Sequence, residues 1–118
     1  VAEDDPDFRD LLGEILQESG FRVALFATGD DLLRALAHLL PDAIVTDIVM
    51  PGLWGSALLA RVRQNDRWRQ IPVIVLTGNN DTALPMRLDA PVVAKPDIEQ
   101  LLRTLRGAIG TVAALQKS

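Results

Sequence analysis

The chain of 118 residues predicts an α/β fold in which helices cover both faces of a parallel sheet. Three observations carry that prediction. Short β-branched runs at 43–46, 73–76 and 92–94 alternate with longer segments whose apolar residues recur at helical spacing. The runs are apolar at successive positions, as strands covered on both faces require. Strands and helices follow one another in turn, which implies right-handed crossovers between parallel strands.

The elements follow in order. Val1-Ala2 reads as the end of a strand, and the expectation is that this strand begins upstream of Val1. Asp5 is an N-cap with Pro6 at the first helical position, and Phe8, Leu11, Leu12, Ile15 and Leu16 form one face. Ser19-Gly20 ends that helix. Residues 21–26 form a short strand, and Thr28 with Asp31 caps a second helix whose stripe is Leu32, Leu33, Leu36 and Leu40. Pro41-Asp42 breaks it, and a strand ending in Asp47 follows. A third helix over 56–64 buries Leu58, Leu59 and Val62 before the strand at 71–76. Residues 81–90 leave room for about two turns of helix, because Pro85 and Pro91 interfere. A strand at 92–94 leads to Lys95-Pro96, and the last helix carries Ile98, Leu101, Leu102, Leu105, Ile109 and Val112 on one face.

Composition narrows the function. The chain has no cysteine, which excludes disulfides and thiolate chemistry, and one histidine, which leaves zinc without ligands. No apolar stretch approaches a membrane span. The net charge of −4 argues against nucleic-acid binding by this domain. Neither a P-loop nor a dinucleotide fingerprint occurs. His38 reads as a surface residue of the second helix. Arg61, Arg63, Arg67 and Arg69 read as a solvated helix end, with Trp68 folded over apolar surface.

What remains is a set of polar residues at strand ends. Glu3 and Asp4 follow the first apolar run, Asp47 the third, Thr77 the fourth and Lys95 the fifth. In an open α/β sheet the carboxyl edge is where ligands bind. Three carboxylates gathered there repel one another, and a hard divalent ion such as Mg²⁺, which prefers oxygen ligands, offsets that repulsion. Asp4 and Asp47 are placed to bind it directly, with Glu3 reaching through water. Lys95 adds a fixed cation and Thr77 a hydroxyl donor. Main-chain N–H groups of Ile48, Val49 and Gly78 complete an inventory suited to a transferring phosphoryl group, with Asp47 as nucleophile.

Glu3-Asp4-Asp5-Pro6, Asp47 with Met50-Pro51-Gly52, Leu76-Thr77-Gly78 and Lys95-Pro96 together resemble the signature of receiver domains of two-component response regulators. The resemblance spans nearly the whole chain, which would be a single receiver domain over 1–118. It implies a flavodoxin-like sandwich: a five-stranded parallel sheet of order 2-1-3-4-5 with about five helices, the fourth short or irregular. It further implies a Mg²⁺ site made by Glu3, Asp4, Asp47 and the Val49 carbonyl. A phosphoryl group would come from the phosphohistidine of a histidine kinase or phosphotransfer protein. Lys95 would pair with that group, Thr77 would move toward it, and Lys95-Pro96 would be cis. The implied location is cytoplasmic, with no membrane insertion. The last helix would be a linker to an output domain or a dimer face.

The chain departs from that pattern in three places. The segment from Thr77 to Lys95 is short for the family, which implies an unusual signalling face. Val92 stands where many members carry an aromatic that swings with the threonine, so no aromatic switch operates there. Val49 is apolar where some members orient the hydrolytic water, which implies slow self-dephosphorylation. Such a protein is a self-phosphorylating phosphoacceptor rather than a turnover enzyme. The competing readings are a receiver-like interaction module that is never phosphorylated, and a phosphatase of the haloacid dehalogenase type. The latter needs an aspartate two residues after the nucleophile, where this chain has Val49.

Overall fold

Asp5 opens the first helix as its sequence predicts. In the computed structural model, which describes residues 1–47, 55–78, 91–94 and 97–117, the Asp5 carboxylate accepts from the N–H groups of Asp7 at 3.0 Å and Phe8 at 3.4 Å. A cap of this kind contributes about 1 kcal/mol. The helix, α1, runs Pro6–Glu18. It ends in a Schellman turn: Phe21 N–H donates to the Leu16 carbonyl and Gly20 N–H to that of Gln17. Gly20 takes φ of 97°, a value that disfavours any side chain. Leu12 and Leu16 are buried, whereas Leu11 stays 47% exposed and lies off the buried stripe.

Helix α2, Gly29–Ala35, is capped by Thr28, whose hydroxyl accepts from Asp31 N–H at 3.1 Å. It is shorter than the leucine spacing predicts. His38 N–H already bonds three residues back, to Ala35, and Pro41 disfavours helical geometry at Leu40. Leu40 is therefore 57% exposed and leaves the expected stripe. His38 lies on the surface.

Among the described residues the remaining elements are β1 (Ile44–Asp47), α3 (Gly55–Gln64), β2 (Val73–Thr77), β3 (Val92–Ala94) and α4 (Ile98–Lys117). The three strands form a parallel sheet in the order β1-β2-β3, with Ile44 opposite Val73 and Asp47 opposite Leu76. Thr77 pairs with Ala94. Two single parallel bridges place Ala2 between Phe26 and Thr46. Residues 21–26 do not form a regular strand. Among the described residues their cross-chain hydrogen bonds involve Ala24, with Val1, and Phe26, with Val1 and Glu3.

Two apolar layers flank the sheet. Leu32, Leu36, Leu58, Leu59 and Val62 of α2 and α3 pack with Ile44, Val73 and Val75. Leu12, Leu16, Leu101 and Leu105 of α1 and α4 pack with Val45, Ile74, Leu76 and Val93. Successive strand residues thus feed opposite layers, the two-residue alternation of a pleated strand. Gly13 lets α1 approach closely, since a Cβ there would lie 2.7 Å from Leu25 Cδ1. Trp68 packs against the first layer, and Arg63 donates to the Arg69 and Ile71 carbonyls at 3.1 and 2.8 Å. Part of the arginine run is therefore structural.

Residues 81–90, Val49 and Lys95, with the Lys95-Pro96 peptide, lie outside the described residues, so the expectations of a stunted fourth helix and a cis bond fall there too.

Candidate functional site

The carboxyl edge of the sheet gathers the acids. Parallel bridging of Ala2 to Thr46 brings Glu3 alongside Asp47, and Asp47 N–H donates to the Ala2 carbonyl at 3.0 Å. Glu3 and Asp47 are buried, at 0% and 2% exposure, while Asp4 is open to solvent. One carboxylate oxygen from each of the three lies within 4.8 Å of the others. Burying two carboxylates side by side is costly unless positive charge or donors compensate.

Local bonds hold the acidic turn. The Glu3 carboxylate accepts from Asp5 N–H at 3.4 Å. The Arg9 guanidinium, one turn into α1, donates to the Glu3 carbonyl at 3.0 Å. This fixes the main chain between Glu3 and Asp4. Arg9 is a residue that sequence spacing does not single out. The only signal available was a cation one turn beyond an acidic helix start. Thr46, also buried, donates its hydroxyl to the Asp47 carbonyl at 3.1 Å.

Thr77 ends β2, one residue beyond Leu76, the register partner of Asp47. It is half-buried, followed by Gly78. Among the described residues, then, Glu3, Asp4 and Asp47 come together, and Thr77 stands at the end of the adjoining strand. Oxygen donors of this number and charge fit a small divalent cation that keeps part of its water shell. They do not fit a soft metal, since neither sulfur nor imidazole is present among them.

Residues 1–106 match the family model described as the response regulator receiver domain. Over 81 residues, 69% of this chain, the sequence is 42% identical to the transcriptional regulatory protein AfsQ1 of Streptomyces coelicolor. Over 94 residues, 80% of this chain, it is 38% identical to the DNA-binding transcriptional regulator NtrC of Salmonella typhimurium. The chain spans only 35% of the first and 18% of the second. Among solved structures it resembles the receiver domain of the sensor histidine kinase PA1611 from Pseudomonas aeruginosa PAO1, determined with a magnesium ion coordinated in the active-site cleft. That match has a TM-score of 0.82 at 30% identity and covers 92% of this chain and 93% of the other. The chain belongs to the response regulator receiver domain family, with its flavodoxin-like fold.

Proposed function

We propose that this protein is a phosphoacceptor: Asp47 takes a phosphoryl group from the phosphohistidine of a histidine kinase or phosphotransfer protein, with Mg²⁺ as cofactor. The single observation that carries this is the clustering of Glu3, Asp4 and Asp47, with their oxygens within 4.8 Å. An Asp47 carboxylate oxygen attacks phosphorus. The P–N bond of the donor breaks, its electron pair stays on the imidazole nitrogen, and that nitrogen takes up a proton. The product is an acyl phosphate on Asp47. Glu3, Asp4, Asp47 and the Val49 carbonyl would hold Mg²⁺, which would supply positive charge to the phosphoryl oxygens. The Thr77 hydroxyl donates to one of those oxygens, and the Lys95 ammonium pairs with another.

The finer architecture belongs to the same reading. The bridges of Ala2 to Phe26 and Thr46 support a five-stranded sheet of order 2-1-3-4-5, with residues 21–26 at one edge. Residues 1–118 act as one receiver domain in the cytoplasm. Phosphorylation changes a protein-binding surface that serves an output domain or a second copy. Among the described residues no helix is long and apolar enough to cross a membrane.

Incubation with Mg²⁺ and acetyl phosphate, followed by intact mass, tests the proposal. A gain of one phosphoryl group is expected, absent without Mg²⁺ and absent in Asp47→Asn. Decay of that mass after removal of the donor should be slow, as apolar Val49 implies. A protein that stays unmodified would instead be a receiver-like interaction module. Decay as fast as that of rapidly hydrolysing family members would overturn the lifetime claim alone.

A further inference from the structure

The turn that follows α3 is tied down by its own hydrogen bonds. The Asn65 carbonyl accepts from the N–H groups of Trp68 at 3.0 Å and Arg69 at 2.9 Å, and the Asn65 side-chain oxygen from Arg67 N–H at 2.9 Å. Ile71 N–H donates to the Trp68 carbonyl at 2.9 Å, and Arg63 grips the far end of the turn. Trp68 is thus held at both its backbone groups, half-buried against the layer of α2 and α3. Beside it opens a cleft of about 280 Å³, lined by Leu33 of α2 with Arg61, Gln64, Asn65 and Trp68. We propose that this cleft docks an acidic segment of a partner protein. That segment seats one apolar side chain against Leu33 and Trp68 and sets carboxylates on Arg61 and Arg67.

The positive charge here is what the fold leaves over. Arg63 serves main-chain carbonyls, and Arg69 faces Asp66 at 3.7 Å. On α2, Arg34 is matched by Asp31 at 3.1 Å. Among the described residues neither Arg61 nor Arg67 has an acid within ion-pair distance, and both are exposed. Arg61 lies in the last turn of α3, where a cation favours the helix, but Arg67 lies beyond the reach of that effect. The chain as a whole carries −4, with exposed acids Asp4, Asp5, Asp7 and Asp10 around the start of α1. A local positive field on a negative molecule selects and orients an acidic partner.

The indole makes a second demand. Trp68 Nε1–H is buried and has no acceptor among the described residues. Such a donor is costly to leave unpaired. Arg61 and Gln64, which line the cleft with Trp68, are exposed, so an occupant that displaces them brings an acceptor to the ring. A carboxylate answers the indole and the guanidinium together. Protein interfaces concentrate affinity on tryptophan and arginine, most of all where the anchor is already rigid.

Other ligand classes fit less well. The cleft is smaller than the roughly 300 Å³ at which small-molecule pockets begin, so it suits a side chain of a larger partner. A nucleic acid needs an open ring face on which to stack a base, whereas Trp68 is packed on the apolar layer.

Heteronuclear NMR tests the proposal through the indole N–H signals of the chain's two tryptophans, with Trp54→Phe assigning that of Trp68. The probes are the peptide Glu-Glu-Leu-Glu-Glu, its counterpart with glutamine for every glutamate, and a single-stranded oligouridylate. The acidic peptide is expected to move the Trp68 signal downfield and saturably, and to bind about tenfold more tightly than the glutamine peptide. Arg61→Gln with Arg67→Gln should cut that affinity about tenfold and leave Tm nearly unchanged, since both side chains are exposed. A Trp68 signal that stays still with the acidic peptide would overturn the proposal. Equal binding of the two peptides, or undiminished binding by the double variant, would do the same. Tighter binding of the oligouridylate would assign the patch to nucleic acid instead. Movement of the signal with protein concentration alone would put a second copy in the cleft and equally defeat the proposal.

Discussion

Asp4→Ala is expected to abolish the rise in Tm that Mg²⁺ gives the unsubstituted protein. It should also slow phosphorylation by acetyl phosphate about 100-fold, about 2.7 kcal/mol and part of what a metal ion contributes to such a transfer. A ligand that binds only the folded state stabilises it by mass action, so calorimetry with and without Mg²⁺ reads the site directly. Asp4 is the discriminating position because it is exposed. Its removal takes a ligand from the cluster without opening a hole in the protein, and metal-free stability should change little. Lys95→Ala is the matching control. It should keep the Mg²⁺ shift yet lose the response to the phosphoryl group. If Asp4→Ala kept the full Mg²⁺ shift, the acids would be only a set of polar strand ends.

The second large effect is on stability. Ile74 lies in β2 with no exposed surface, beside its register partner Val45 in the layer of α1 and α4. Ile74→Ala is expected to cost about 3–4 kcal/mol, the transfer term plus a cavity that neighbours on rigid strands cannot fill. That is a large share of the total for a domain of this size, and Tm should fall by about 10–20 °C. Urea unfolding provides the measurement. Leu11→Ala makes the contrast: Leu11 is 47% exposed, and its loss should change stability by no more than about 0.5 kcal/mol. Equal losses for the two would mean that the apolar layers do not divide as described.

Strand and helix types were legible because their signals are local. Asp5-Pro6, Thr28 with Asp31 and Ser19-Gly20 each carry their own hydrogen-bond chemistry, and each appears where its residues demand. Leu40 was not legible as an exposed residue. Its spacing continues the stripe of α2, but Pro41 acts on the residue before it and the helix unwinds first. The irregularity of 21–26 was equally hidden, since a strand depends on its neighbours and not only on its own composition. At the site, Glu3, Asp4 and Asp47 could be picked out because strand ends are readable and parallel strands share one edge. Arg9 could not, because its partner is a main-chain carbonyl and no side-chain pattern announces one.

That arginine ties two parts of the molecule to one another. It is rooted in α1 and grips the peptide between two acids, so whatever draws those acids inward also tugs the start of the first helix. Occupancy at the sheet edge and the docking of that helix are then linked quantities. If Mg²⁺ binds there as proposed, loosening the helix should weaken its binding, and by reciprocity the ion should quieten the helix.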